Sequence, residues 1–141
     1  MSGLDSIPIQ VQPAIAAPLS TATAQAILAE LETSLQTLLA SGREHSIDLR
    51  SLPLAPGELE YLKDTLGEGE VRVEVDALGF SRVVETRIHG VWWVTHRNSL
   101  DDVMAEFIEV SFCPDIIRAQ RDDVRESLEV LSARLAGDHD S

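Results

Sequence analysis

The sequence predicts an α+β fold: an antiparallel sheet of four to five strands, arranged as a meander, with helices packed on it. Three observations carry that prediction. Between Leu66 and Phe112 the chain runs through short β-branched and aromatic stretches. The first of these alternates Val71, Val73 and Val75 with Arg72, Glu74 and Asp76, the period of a strand with one buried face. Brief turn signals at Leu78-Gly79, His89-Gly90 and Asn98 to Asp102 separate the stretches, and connections that short pair neighbours antiparallel. Leucine-rich segments on either side carry the three- and four-residue spacing of amphipathic helices.

Taken in order, residues 1–20 hold Pro8, Pro13 and Pro18, a density that prevents a helix. They read as an extended or mobile N-terminal segment, with Ile7, Ile9, Val11 and Ile15 available to strap it to a surface. The single domain is expected over 21–136. Its first helix starts behind Ser20 or Thr21 and runs to Ala40, with Ala24, Ile27, Leu28, Leu31, Leu35, Leu38 and Leu39 as its apolar stripe. Gly42 is the residue type that ends such a helix. That stripe suits either a core helix or one that docks on a second copy. Ile47 and Leu49 mark a short strand. Pro56 opens a short helix with Leu59, Leu62 and Leu66 inward and Glu58, Glu60 and Asp64 as decoration. If the strands flanking that helix were parallel neighbours, the crossover would be right-handed.

The meander follows. Val71 to Asp76 is its first strand, Val83 to Ile88 the second, Val91 to Thr95 the third and Val103 to Phe112 the fourth, stopped by Pro114. A last helix is expected from Ile116 to Leu135, capped by Asp115, with Ile117, Val124, Leu128, Leu131 and Leu135 as its stripe. Residues 137–141 form an acidic tail.

Composition excludes several functions. The net charge is −13, whereas a nucleic-acid partner calls for a basic footprint and an anionic membrane surface calls for basic clusters. One cysteine, Cys113, rules out an internal disulfide and fits a reducing cytoplasm. No run of about 18 apolar residues is present, and the N-terminus lacks the basic and apolar regions of a secretory signal. Gly67-Glu68-Gly69 is only a partial G-x-G-x-x-G, lies before a strand, and carries glutamates that repel phosphate. His45, His89, His96 and His139 show no metal-ligand spacing, and one thiol cannot hold a cluster, so neither metal nor cofactor is expected. Cys113 at the end of an apolar strand reads as an inert thiol, with a small Cys/His-dependent enzyme as the alternative.

What remains is a binding surface. Glu68 and Glu70 form an acidic loop suited to a basic segment of a partner. Trp92 and Trp93 point to opposite faces of the strand. Val91, Trp93 and Thr95 are then assigned to the core, while Trp92, Val94 and His96 share the other side, with Trp92 an aromatic anchor on it. The opposing reading packs both rings. A homodimer through the first helix or through the edge strand, or a plain oligomerisation module, also fits this pattern.

Leu66-Gly67-Glu68-Gly69-Glu70-Val71, then Glu85-Thr86, then Gly90-Val91-Trp92-Trp93-Val94, then Ala105-Glu106-Phe107-Ile108-Glu109-Val110 and Pro114 occur in order. This series resembles the C-terminal conserved domain of the HupH/HyaF-type hydrogenase expression proteins, over residues 46–120. Family chains generally carry more sequence ahead of this domain than is present here. The resemblance implies a non-catalytic assembly factor for an uptake nickel–iron hydrogenase. It would hold the immature iron–sulfur small subunit precursor before export, alongside a thioredoxin-like companion. A twin-arginine signal peptide would be one basic segment for the acidic loop to receive.

Overall fold

The computed structural model describes residues 20–76 and 78–137. The expectations for the proline-bearing segment 1–19 and for residues 138–141 lie outside the described residues.

Helix α1 spans Ala22–Ser41. Its buried positions, Ala24, Ile27, Leu31, Ser34 and Leu38, recur every three or four residues, so the stripe read from the sequence is the one that meets the sheet. Gly42 closes it in the left-handed conformation, φ 77°, its N–H donating to the Leu38 carbonyl at 2.8 Å. Burial makes α1 a core helix. Of its large apolar side chains only Leu39 is fully turned to solvent.

Five strands follow: β1 (His45–Asp48), β2 (Arg72–Asp76), β3 (Phe80–Glu85), β4 (Val91–Arg97) and β5 (Val103–Val110). They form one sheet in the order β1-β5-β4-β3-β2, antiparallel throughout. The meander runs from β2 to β5, and its turns fall at Gly79, Gly90 and Asn98. At the first of these a Cβ on Gly79 would stand 2.2 Å from the Arg97 carbonyl oxygen, at φ +141°, so only glycine fits. Strand β1 does not neighbour β2. It pairs with β5, with Ile47 opposite Ile108, at the far edge of the sheet. The parallel crossover considered from sequence is therefore absent, and α2 (Glu58–Leu66) carries the chain from one edge to the other.

Boundaries moved for identifiable reasons. Strand β3 begins and ends earlier than expected, and Thr86, whose N–H still donates to the Val91 carbonyl at 2.9 Å, turns the chain beyond its end. Its hydroxyl donates towards the Val91 carbonyl at 2.9 Å and accepts the Ile88 N–H at 3.1 Å, which shapes the turn at Gly90. Strand β5 stops at Val110, and Phe112 is exposed. Helix α2 starts at Glu58 behind Gly57, which stands at φ 86°, so Pro56 lies in the preceding turn. Glu58 is buried, not decorative. Its two carboxylate oxygens accept the Ala24 N–H at 2.8 Å and the Ala55 N–H at 2.7 Å, tying α1 to α2. The last helix, α3, spans only Arg121–Leu135. Asp115–Ile117 is a single 3₁₀ turn, because Ile117 is drawn onto the sheet and Arg118 bonds back to Glu44 and to the Cys113 carbonyl. None of the α3 residues is buried.

Two apolar layers result. The inner face places Ile47, Val91, Trp93, Ile108 and Val110 against Ile27, Leu31 and Leu38 of α1 and Leu62 and Leu66 of α2. The outer face holds a smaller cluster of Val83, Trp92 and Val94, covered by Val73, Phe107 and Ile117.

Candidate partner-binding groove

The tryptophans are placed by strand alternation as expected, on opposite faces, yet neither ring stands out as a surface anchor. Trp92 is 6% exposed and Trp93 8%. The expectation of an outward Trp92 is corrected by the chain that follows β5. Segment 111–117 folds across the outer face, and the Trp92 indole N–H donates to the Ser111 carbonyl at 3.0 Å. The inner-face ring, Trp93, is the one that borders open space. Its N–H donates to a Glu106 carboxylate oxygen at 2.8 Å, and the Lys63 ammonium lies 5.2 Å from the ring centroid. Lys63 also approaches Glu106 at 3.8 Å, so a cation, an aromatic ring and a carboxylate form one unit.

Lys63 and Trp93 of this unit line a groove of about 580 Å³ between the end of α2 and strands β3 and β4. Its rim is cationic at Lys63, Arg82 and Arg87 and carries the carboxylates of Asp64 and Glu68. Glu68 is engaged: its carboxylate accepts from Arg72 at 3.3 Å and from Arg82 at 3.4 Å. The Arg72 hydrogen bond, then the arginine charges, hold the Glu68 carboxyl below the ordinary carboxylate value. The loop is fixed as well as paired. A Cβ at Gly69 would meet the Thr86 carbonyl oxygen at 2.7 Å, and the Gly69 N–H donates to the Glu85 carbonyl at 2.7 Å. Glu70 is exposed beside it.

A second groove of about 490 Å³ continues from the first past Thr65, Leu66 and Ile88. Leu28, Leu31 and Leu35 of α1 line it, with Val91 at its base. The two together make one channel, polar and cationic at one end and leucine-lined at the other.

The four residues singled out from sequence therefore do not converge. Glu68 belongs to the rim of this channel, and Glu70 is exposed in the loop that follows it. Trp92 and His96 lie across the sheet from it, where His96 Nδ1 is 2.6 Å from the Ser81 hydroxyl and the imidazole leans on Phe107, with centroids 5.5 Å apart. Cys113 is half-buried, and its Sγ lies 3.9 Å from the Pro114 carbonyl oxygen. The histidine and the thiol thus each have a partner other than one another. Among the described residues no group of three or more His, Cys, Asp or Glu side chains is placed to hold a metal ion. No helix of the described residues is long and apolar enough to cross a membrane.

Residues 21–137 match the family model of the HupH hydrogenase expression protein, C-terminal conserved region. The chain belongs to the HupH family. Within it, the chain is similar to the hydrogenase expression/formation protein HoxQ of Cupriavidus necator, 30% identical over 112 residues, covering 79% of this chain and 40% of that one. It is similar to the hydrogenase expression/formation protein HupH of Rhizobium leguminosarum bv. viciae at 28% identity, covering 79% and 39%. The solved structure of hydrogenase expression protein HupH from Thiobacillus denitrificans superposes with a TM-score of 0.77 at 41% identity, covering 82% of this chain and 97% of that one. The chain thus spans about two fifths of the length of these two curated HupH-family relatives.

Lys63, Arg82, Arg87, Trp93 and Glu106 were not singled out as site residues by the sequence reading. The signal that could have found them is the inward alternation of Arg82 and Val84 beside Trp93. An arginine on the core side of a strand needs an opening in the helical cover.

Proposed function

We propose that this chain is a non-catalytic binding module in hydrogenase maturation, which holds an immature hydrogenase subunit through the channel along α2. The observation that carries the reading is the channel's composition: Lys63 and Trp93 with Arg82 and Arg87 at one end, and α1 leucines at the other. Such a surface suits an amphipathic segment of a partly folded protein, its apolar residues on Leu28 and Leu35 and its carboxylates or carbonyls against Arg82 and Arg87. The client is the iron–sulfur small subunit precursor, held in the cytoplasm before export, with a thioredoxin-like companion acting beside this chain. Membership of a family of hydrogenase expression proteins supports that choice. The pairing of Glu68 with two arginines changes the chemistry expected from the sequence: the segment received is acidic or amide-rich at this end, not basic.

The test is binding of purified small subunit precursor, measured by calorimetry against wild type and Lys63→Glu/Arg87→Glu. The double charge reversal is expected to weaken binding at least tenfold, with the melting temperature lowered by no more than the loss of the Lys63 contacts to Trp93 and Glu106 accounts for. Glu129→Lys, remote on α3, should leave binding as it is. Equal affinity across all three proteins would remove the channel from the mechanism, and no affinity for the precursor in any of them would remove the client.

A further inference from the structure

Helix α3 is an amphipathic helix with none of its own residues buried, its apolar side exposed. Val124, Leu128, Leu131 and Leu135 are spaced four, three and four residues apart, a single seam along 15 residues, and Leu128 is 63% and Leu135 79% exposed. Arg121 and Arg125 flank the seam on one side and Arg134 with Asp123 on the other, while Asp122, paired with Arg125 at 2.8 Å, Glu126 and Glu129 occupy the far face. A seam this regular needs a counterpart.

The sheet supplies one. Its inner face is covered by α1 and α2, but among the described residues no helix crosses its outer face. Segment 111–117 closes over Val83, Trp92 and Val94 at the middle of that face, and beside them Val73, Val75, Ala105 and Phe107 are only half-buried. By strand register, Asp48, Glu85 and Glu109 share that face, carboxylates opposite in sign to the arginines beside the seam. The chain reaches α3 from that face, at Ile117, but does not turn back onto it. Arg118 and Gln120 are extended, at φ/ψ −99°/129° and −84°/148°. Arg118 is tethered to Glu44 and to the Cys113 carbonyl. A three-residue extended linker of this kind carries a helix away from its own domain, the geometry of an exchanged element.

We infer that α3 seats its Val124–Leu135 seam on the outer sheet face of a second copy of this chain, and receives that copy's α3 in return. Area favours this seat over a simple pair of α3 helices. A helix about 22 Å long and about 10 Å wide buries about 400 Å² of itself and as much of its seat. Two reciprocal seats bury about 1,600 Å², the size of a stable interface, whereas one helix pair buries about 800 Å², the size of a lattice contact. The interface is separate from the channel, so the dimer stands or falls independently of the client.

The experiment mixes two tagged chains in a Cys113→Ser background, one carrying Leu128→Cys and the other Ala105→Cys, under mild oxidation. A disulfide between the differently tagged chains is expected, with a dimer mass by light scattering for wild type. Leu128→Asp should raise the dimer dissociation constant at least tenfold while circular dichroism retains the helical signal. A monomer mass at tens of micromolar overturns the inference. So does the absence of a mixed disulfide together with an internal one in a separate chain carrying both Leu128→Cys and Ala105→Cys, which places α3 on its own sheet. Cross-linking of Leu128→Cys only to itself overturns it in favour of a helix pair. Should Leu128→Asp fail to fold, the mixed cross-link and the wild-type mass still decide the question.

Discussion

Replacing Trp92 by alanine should cost this protein as much stability as replacing Trp93. Both rings are more than nine-tenths buried, on opposite sides of one strand, and each indole N–H has an acceptor, at 3.0 Å for Trp92 and 2.8 Å for Trp93. Truncating a buried tryptophan removes its contacts and leaves a cavity that a sheet cannot collapse, worth about 3–5 kcal/mol. For a domain of this size that lowers the melting temperature by roughly 10–20 °C. Phenylalanine at either position keeps most of the apolar surface and strands one acceptor, a loss of about 1–2 kcal/mol. The two sites differ in what they release. Trp92→Ala frees segment 111–117, because the Ser111 carbonyl loses its donor and Ile117 loses part of its seat, so amide exchange should accelerate there first. Trp93→Ala should instead loosen Lys63 and Glu106 at the channel floor. The assay is thermal melting with hydrogen exchange on both variants, and single-tryptophan fluorescence is available in each because these are the only two tryptophans. A Trp92→Ala protein that melts within about 2 °C of wild type, a small fraction of the 3–5 kcal/mol loss, refutes the packing argument for the outer face.

Two carboxyls give opposite pH signatures. Hydrogen bonds from the Ala55 and Ala24 amides hold the Glu58 carboxyl below its ordinary value, with burial working against them. Its contribution is present above the ordinary carboxylate pKa and lost as pH falls through the lower folded value, so Glu58→Gln should melt earlier than wild type at pH 7, with the gap closing in acid. Burial pushes the Glu109 carboxyl up, and the like charges of Glu44 and Asp115 add to it. That contribution is full below the ordinary value and lost as pH rises through the higher folded one, so Glu109→Gln should melt later than wild type at pH 7 and equally at low pH. Melting curves for both variants between acid and neutral pH check the two signs.

The sheet was legible because its information is local. Alternation at Val71, Val73 and Val75 and glycines at the turns specify an antiparallel meander without reference to distant residues. The partner of β1 was not legible, since Ile47 meets Ile108 across 61 positions of chain and nothing in a four-residue strand names its neighbour. The start of α3 was obscured for a related reason. Ile117 sits at helical spacing in the sequence, yet the outer cluster claims it and breaks the helix into a turn and an extended linker. Glu58 was misjudged because an acidic residue in a first turn ordinarily serves the helix dipole in water. Here its oxygens reach two amides, one of them 34 residues away. The site was the least legible part. Trp92 and Trp93 are equivalent by alternation, and which ring borders open space depends on where segment 111–117 and α2 happen to lie.

Net charge and local charge differ along this chain. A chain at −13 suggests a surface that welcomes basic partners, but three of its 11 lysines and arginines gather on one channel rim, where Glu68 is spent on Arg72 and Arg82. Charge at long range and charge at contact then act in opposite directions. Under the proposed reading, the whole chain repels an acidic segment approaching from a distance, and Arg82 and Arg87 would hold it once it is within a few ångströms. Salt separates the two, because exposed charges farther apart than about 8 Å are largely screened at physiological ionic strength. Moderate salt should therefore relieve the long-range repulsion before it weakens the contacts at Arg82 and Arg87, and association with an acidic segment should first quicken and only then weaken. A basic segment behaves differently: the field of the chain draws it in, every increment of salt slows it, and the channel rim repels it on arrival. The sign of the first salt increment thus tells an acidic segment from a basic one as the ligand of the proposed channel.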